Sequence, residues 1–251
     1  MTNGEADIVT SQQPPKRVAR PPHATSAAVE GVASDTALPR VLPFALFIAF
    51  VIAADVMLRL GAAASTVRWL YPVKVALVAA LLLMWRNHYH ELRSPLALRQ
   101  AVLAVGAGVA VFLLWISLDA GWMQLGTPRG FDPADDAGRI DWPLVAFRIA
   151  GAALLVPVME ELFWRSFLLR WLQQRNFLAL RPSLVRGRPV VISVFLFGFE
   201  HHLWLAGIVA GVAYTLLFMR SESLWTPILG HAVTNGLLGA WVMATGSWTY
   251  W

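Results

Sequence analysis

The chain has 251 residues, of which 57% are hydrophobic and only 14% charged, with a net charge of +5 and no cysteine. Soluble domains carry about 25% charged residues, so this composition belongs to an integral membrane protein. The basic excess sits at the ends of apolar segments, where membrane proteins keep it, which argues against nucleic acid as a partner. The lack of cysteine excludes disulfides, thiolate nucleophiles, cysteine-ligated zinc and iron–sulfur clusters.

Residues 1–40 differ from the rest. Pro14, Pro15, Pro21, Pro22 and Pro39 stand among Ser, Thr and Ala with scattered charges, the composition of a disordered tail. The tail has no apolar core of the signal-peptide kind and is expected to be retained. Apolar segments follow near 41–60, 69–85, 96–118, 143–172, 189–219 and 224–244. Each is expected to be helical, because in lipid every backbone N–H and C=O must be satisfied within its own segment. The 189–219 stretch is interrupted by GFEHHLW; it is too long for one straight span and is read as two short ones. The expected fold class is all-α: a polytopic integral membrane helical bundle of about seven transmembrane helices, six to eight. It divides into a cytoplasmic tail at 1–40, helices and an acidic loop at 41–142, and a membrane core at 143–251.

Loop charges set the orientation. Lys16, Arg17, Arg20 and Arg40 mark the tail, Arg86, Arg93 and Arg99 the loop at 86–99, and Arg175, Arg181, Arg186 and Arg188 the loop at 173–188. These regions are expected on the cytoplasmic side. Loop 119–142 carries Asp119, Asp132, Asp135, Asp136 and Asp141 against Arg129 and Arg139 and is expected on the far side. The closing SWTYW reads as an aromatic interfacial anchor, and the expected location is the cell inner membrane, crossed several times.

Ionisable residues deep in spans are expensive and mark function by default. In PVMEELFWRSFLLRWL, which follows a run opened by Arg148, Glu161 and Arg165 are four apart on one helical face and can form an ion pair. Glu160 is rotated by about 100° from Glu161 and lacks a local cation, which makes it a candidate general base. In FLFGFEHHLWLAGIVAG, Glu200 and His202 fit a turn at the headgroups, whereas His201 is harder to dismiss. Gly207 and Gly211 form a small-residue face suited to close packing. In PILGHAVTNGLLGAW, His231 and Asn235 are four apart on one face of an apolar span. Such a pair alone would be an interhelical hydrogen bond. Asp55 and Arg59 read as a structural pair near a helix end, and Lys74 is expected to snorkel to the interface. A carboxylate and imidazoles can activate water, and an imidazole and an amide can donate to an oxyanion. There is no G-x-S-x-G to set a serine nucleophile and no H-E-x-x-H of the zincin type.

Together the three clusters resemble the CAAX-protease and bacteriocin-processing family of intramembrane endopeptidases. Its motifs E-E-x-x-x-R, F-x-x-x-H and H-x-x-x-N stand here as Glu160-Glu161-Leu-Phe-Trp-Arg165, Phe197-Gly-Phe-Glu-His201 and His231-Ala-Val-Thr-Asn235. The likeness covers roughly residues 143–244 and makes that core the catalytic region. Gly130-Phe131-Asp132-Pro133 with SLWTPILGHAVTN is similar to a bacterial branch associated with exosortase systems. The resemblance implies that Glu160, helped by His201, activates water for attack on a peptide carbonyl. His231 and Asn235 would stabilise the oxyanion, Glu161 and Arg165 would hold the site, and Phe197 would pack beside it. The substrate implied is a membrane-associated protein or peptide within the lipid bilayer. Zinc held by Glu160, His201 and His231 and a metal-free glutamate mechanism both stay open, and the division of roles between His201 and His202 is not fixed. A non-enzymatic scaffold or immunity-type binding protein on the same fold is the alternative. A proton-coupled transporter would call for inverted repeats, which are not visible. The sequence is silent on the oligomeric state.

Overall fold

Long apolar runs broken by Gly, Pro and basic residues dictate helices joined by short connections. In the computed structural model, Met1 and residues 26–126, 130–134 and 138–251 are described, residues 26–35 by their backbone alone. Helices make up the described residues apart from loops, turns and a single isolated bridge between Ala134 and Ile140. The helices are α1 (Ser26–Arg59), α2 (Ala64–Met84), α3 (Leu98–Trp115), α4 (Trp142–Trp171), α5 (Gly187–Phe199), α6 (Trp204–Ser221) and α7 (Trp225–Thr245). Among the described residues, five stretches are long and apolar enough to cross a membrane: Thr36–Arg59 within α1, and α2, α3, α4 and α6. Helix α5 is shorter and apolar. The chain is a multi-pass, all-helical membrane protein, and the 189–219 stretch does divide into two helices at the GFEHHLW turn.

The tail expected at 1–40 differs in its second half. Helix α1 already begins at Ser26. The remaining tail, with Lys16, Arg17 and Arg20, lies outside the described residues, as do Arg129, Asp135 and Asp136 of the acidic loop. Arg40 is not a solvent-facing tail cation. It is fully buried and donates to both Glu91 carboxylate oxygens at 2.9 and 2.6 Å, to Ser166 Oγ at 3.1 Å, and to the carbonyls of Thr36 and His88. Arg170 completes the cluster through Ser166 and lies 3.8 Å from Glu91. This knot ties the start of the α1 span, the 86–97 loop and the end of α4 to one end of the bundle. The opposite end gathers the acidic loop and the C-terminal segment: Tyr250 Oη donates to Asp119, the Phe131 N–H donates to the Trp248 carbonyl, and the Leu125 N–H to the His202 carbonyl. The two loop sets therefore sit at opposite ends, as their charges imply.

Two prolines leave carbonyls without their helical donors, and side chains take over. Pro43 has no N–H for the Pro39 carbonyl four residues back, and Tyr89 Oη donates to it at 2.9 Å. Pro157 likewise has none for the preceding turn, a π-helical stretch at Gly151–Leu155, and Asn235 Nδ2 donates to the Ala152 carbonyl at 2.8 Å. Close approach of α5 and α6 needs glycine. A Cβ on Gly207 would stand 3.0 Å from Gly198 Cα and 3.3 Å from His201 Cβ. This small-residue contact, read from sequence as packing, presses the Phe197–His201 turn against the core.

Candidate active site

Helix α4 is interrupted by two π-helical stretches, Gly151–Leu155 and Leu162–Leu168, and Glu160 and Glu161 lie between them. Such widened turns recur at functional sites because they re-aim side chains. Glu161 is fully buried and pairs in two directions. One oxygen lies 3.1 Å from Arg165 Nε and the other accepts from His231 Nδ1 at 3.0 Å. The i, i+4 pair expected from sequence is present, and the same carboxylate also orients His231. Because a carboxylate only accepts, Nδ1 of His231 carries the proton, and Nε2 is left for chemistry. Arg165, 1% exposed, also donates to the Gly211 carbonyl at 3.4 Å, and its guanidinium lies over the faces of Phe197 (4.3 Å) and Tyr214 (5.5 Å).

Glu160 is 5% exposed, and its Oε2 has no hydrogen-bond partner. It faces a cavity of about 240 Å³, whose wall also includes His201, His231 and Asn235. All four candidate catalytic residues thus meet at one space. His201 sits in the turn after α5, where its Nδ1 bonds the Phe197 carbonyl at 2.8 Å. A carbonyl cannot donate, so that nitrogen holds the proton and Nε2 keeps a lone pair. Asn235 spends one N–H on Ala152 and retains the other. Phe197 packs between Arg165 and His201, with ring centroids 4.8 Å apart for the latter pair. Among the described residues, no three His, Asp or Glu side chains form a group able to hold a metal ion.

His202 is turned elsewhere. It bonds the Leu125 carbonyl and Gln124 Oε1 of the loop at 119–142 and does not line the cavity, whereas His201 does. Glu200 is exposed at the end of α5, but its carboxyl lies within electrostatic reach of Trp164, Arg165 and Glu160, so it borders the catalytic acids and is more than a polar turn residue. Asp55 and Arg59 form their exposed pair at 2.6 Å. Lys74 does not snorkel: it is 7% exposed, with its ammonium 3.8 Å from the centroid of the Phe47 ring.

Several cavity residues carry no sequence signal of their own. Tyr214 stacks on His231 with centroids 4.9 Å apart and donates to Thr234, while Trp115 meets His201 edge-on at 5.2 Å. Tyr250 and Trp251 line the same wall, so the closing aromatic segment covers the cavity in addition to any anchoring. Arg148 is there too; its solitary place at the head of an apolar run was the one available hint.

Residues 142–237 match the family model described as Type II CAAX prenyl endopeptidase Rce1-like. The matched segment spans all three motifs, from α4 into α7. The match is to a peptidase family in general and does not single out the exosortase-associated branch. No curated protein and no solved structure matches the chain.

Proposed function

We propose that this protein is an intramembrane endopeptidase that hydrolyses a peptide bond of a membrane-associated protein or peptide by water attack, without a metal step. The observation that carries this reading is the meeting of Glu160, His201, His231 and Asn235 on one cavity inside the bundle. Glu160 takes a proton from water, and His201 Nε2 accepts a hydrogen bond from the same molecule. The water oxygen attacks the carbonyl carbon. Charge then grows on the former carbonyl oxygen, where the free N–H of Asn235 and the Nε2–H of a protonated His231 donate to it. Glu161 stabilises that imidazolium through Nδ1, as the acid does in an acid–histidine pair, while Arg165 holds Glu161 in place. Collapse breaks the C–N bond, and Glu160 returns its proton to the amine leaving group. The products are a carboxylic acid and an amine, so atoms and protons balance.

Location in a cell inner membrane and a place in the exosortase-associated branch are parts of the same proposal. They are supported by the loop charges and by the stretches Gly130–Pro133 and SLWTPILGHAVTN. The test is cleavage of a membrane-protein substrate library by purified wild type and by Glu160→Gln, each with and without a chelator. Cleavage by wild type alone, insensitive to the chelator, supports the mechanism. Equal cleavage by both proteins removes Glu160 as the base. Loss of wild-type cleavage on chelation, restored by zinc, replaces the metal-free step.

A further inference from the structure

Beside the catalytic cavity lies a second chamber of about 600 Å³, within the size range of ligand pockets. Phe47, Tyr71, Arg148 and Trp251 line both spaces. The walls of the second are largely apolar, with Phe50, Val51 and Leu58 from α1 and Val67 and Leu70 from α2. Cations are set into this apolar surface. Lys74 is 7% exposed, its Nζ 3.8 Å from the centroid of Phe47 and 4.7 Å from that of Tyr71. The Arg148 guanidinium lies 4.6 Å from Tyr71 and 5.3 Å from Phe131, and its Nε is buried without a hydrogen-bond partner. Arg68 donates to the Ala134 carbonyl and leaves its own buried Nε unpartnered.

Among the described residues, neither Lys74 nor Arg148 makes an ion pair. Of the described acids on the same wall, Asp55 is paired with Arg59 at 2.6 Å, while Asp132, whose Oδ1 accepts from the Ala134 N–H at 2.8 Å, keeps its charge but forms no ion pair with Lys74 or Arg148. Gathering like charges in an apolar wall is costly unless a group sheds its proton or a counter-ion completes the site. Aromatic faces offset part of that cost but carry no net negative charge. Arg148 cannot shed its proton, so its guanidinium, with a buried and unpartnered Nε, calls for an anion, which would also hold Lys74 in its charged form.

The walls decide what kind. Helices α1 and α2 satisfy their own backbone groups and offer nothing to the amides of an extended peptide, whereas an acyl chain asks for no hydrogen bonds. The neighbouring surface of α1 exposes Val51 (46%), Ile52 (58%) and Val56 (45%) within a span, so lipid lies alongside. We propose that this chamber binds an acidic lipid, with its carboxylate or phosphate head held by Lys74 and Arg148 and its acyl chain lying along α1 and α2.

The test uses the purified full chain, delipidated in detergent. It is exposed separately to oleate, phosphatidic acid, zwitterionic phosphatidylcholine and inorganic phosphate. Native mass spectrometry reads bound lipid, and circular dichroism reads the melting temperature. An acidic lipid should bind one per chain and raise the melting temperature, while phosphatidylcholine and inorganic phosphate should not. Lys74→Met and Arg148→Gln should each weaken that binding by about tenfold or more. The two variants lie on different helices, and Lys74→Met removes an unpaired buried charge, so it should fold. Binding of oleate alone assigns a carboxylate head, and binding of phosphatidic acid alone a phosphate head. Equal uptake of phosphatidylcholine, or undiminished binding in both folded variants, overturns the proposal. Inorganic phosphate acting as well as lipid overturns the lipid assignment, as does an apolar peptide with a free C-terminal carboxylate binding where the lipids do not. None of these readouts depends on peptide cleavage.

Discussion

In Glu161→Gln the side chain keeps its shape and an acceptor oxygen but loses its charge. Arg165, 1% exposed, would keep the Gly211 carbonyl, the faces of Phe197 and Tyr214, and a neutral hydrogen bond to the new amide. Breaking a buried ion pair costs about 3–5 kcal/mol. The retained amide and the proximity of Glu160 to Arg165 favour the low end, about 3 kcal/mol. For a chain of this length that is a fall in melting temperature of about 6–12 °C. His231 would lose the carboxylate that stabilises its protonated form, so kcat/KM should fall by about 10²–10³. The assay pairs thermal unfolding in detergent, followed by circular dichroism, with cleavage rates taken well below both melting points. A companion variant, Glu161→Leu with Arg165→Met, replaces the pair by apolar groups and should recover stability without recovering activity. If Glu161→Gln melts early yet cleaves at the wild-type rate, Glu161 is only a counter-ion to Arg165 and its proposed action through His231 is wrong.

Glu160→Gln should leave the melting temperature unchanged or higher, because it removes a buried carboxylate with an unpartnered oxygen, while lowering kcat by about 10²–10⁴. Asn235→Ala leaves the Ala152 carbonyl without its donor and should cost about 1–3 kcal/mol of stability by thermal unfolding, with a separate loss of kcat measurable at low temperature. Arg40→Met should destabilise by about 3–5 kcal/mol, whereas Arg181→Ala, which removes an exposed pair with Glu222, should leave the melting temperature unmoved. Burial alone would raise the Glu91 carboxyl, but hydrogen bonds and charge from Arg40 outweigh it and hold the group below its ordinary value of 4.5. The stability this contributes is present above that value and lost as pH falls below it. Melting curves on acidification should therefore drop for wild type and flatten in Arg40→Met.

The catalytic candidates were legible because an ionisable residue stands out against an apolar span. Glu160, Glu161, His201, His231 and Asn235 all announce themselves in this way. The division of 189–219 was legible from its polar interruption. Tyr214 and Trp115 were not, since an aromatic residue in a span looks the same whether it packs against lipid, a neighbour or a catalytic imidazole. Arg40 read as a tail cation because its partner Glu91 is 51 residues away in sequence, a distance over which spacing says nothing. The early start of α1 was hidden by the prolines at 14–22, which dominate the composition of the tail. The stretch from Ser26 to Leu38 contains none and is rich in alanine, a good helix former.

The widened turn at Gly151–Leu155 also sets the phase of α4. Arg148, Ala152, Val156 and Glu160 all border the same cavity, yet in an uninterrupted α-helix twelve residues advance the angle to roughly 120° out of line. One extra residue taken up by the wide turn brings that mismatch to roughly 20°. The inserted residue works like a vernier, bringing a cation at one end of the helix and a carboxylate near its middle onto a common meridian. Removing one residue from this turn should leave a continuous helix of nearly the same length. Arg148 and Glu160 would stay within roughly 20° of each other, whereas closing the wide turn with every residue kept would swing Glu160 by about 100° off that line.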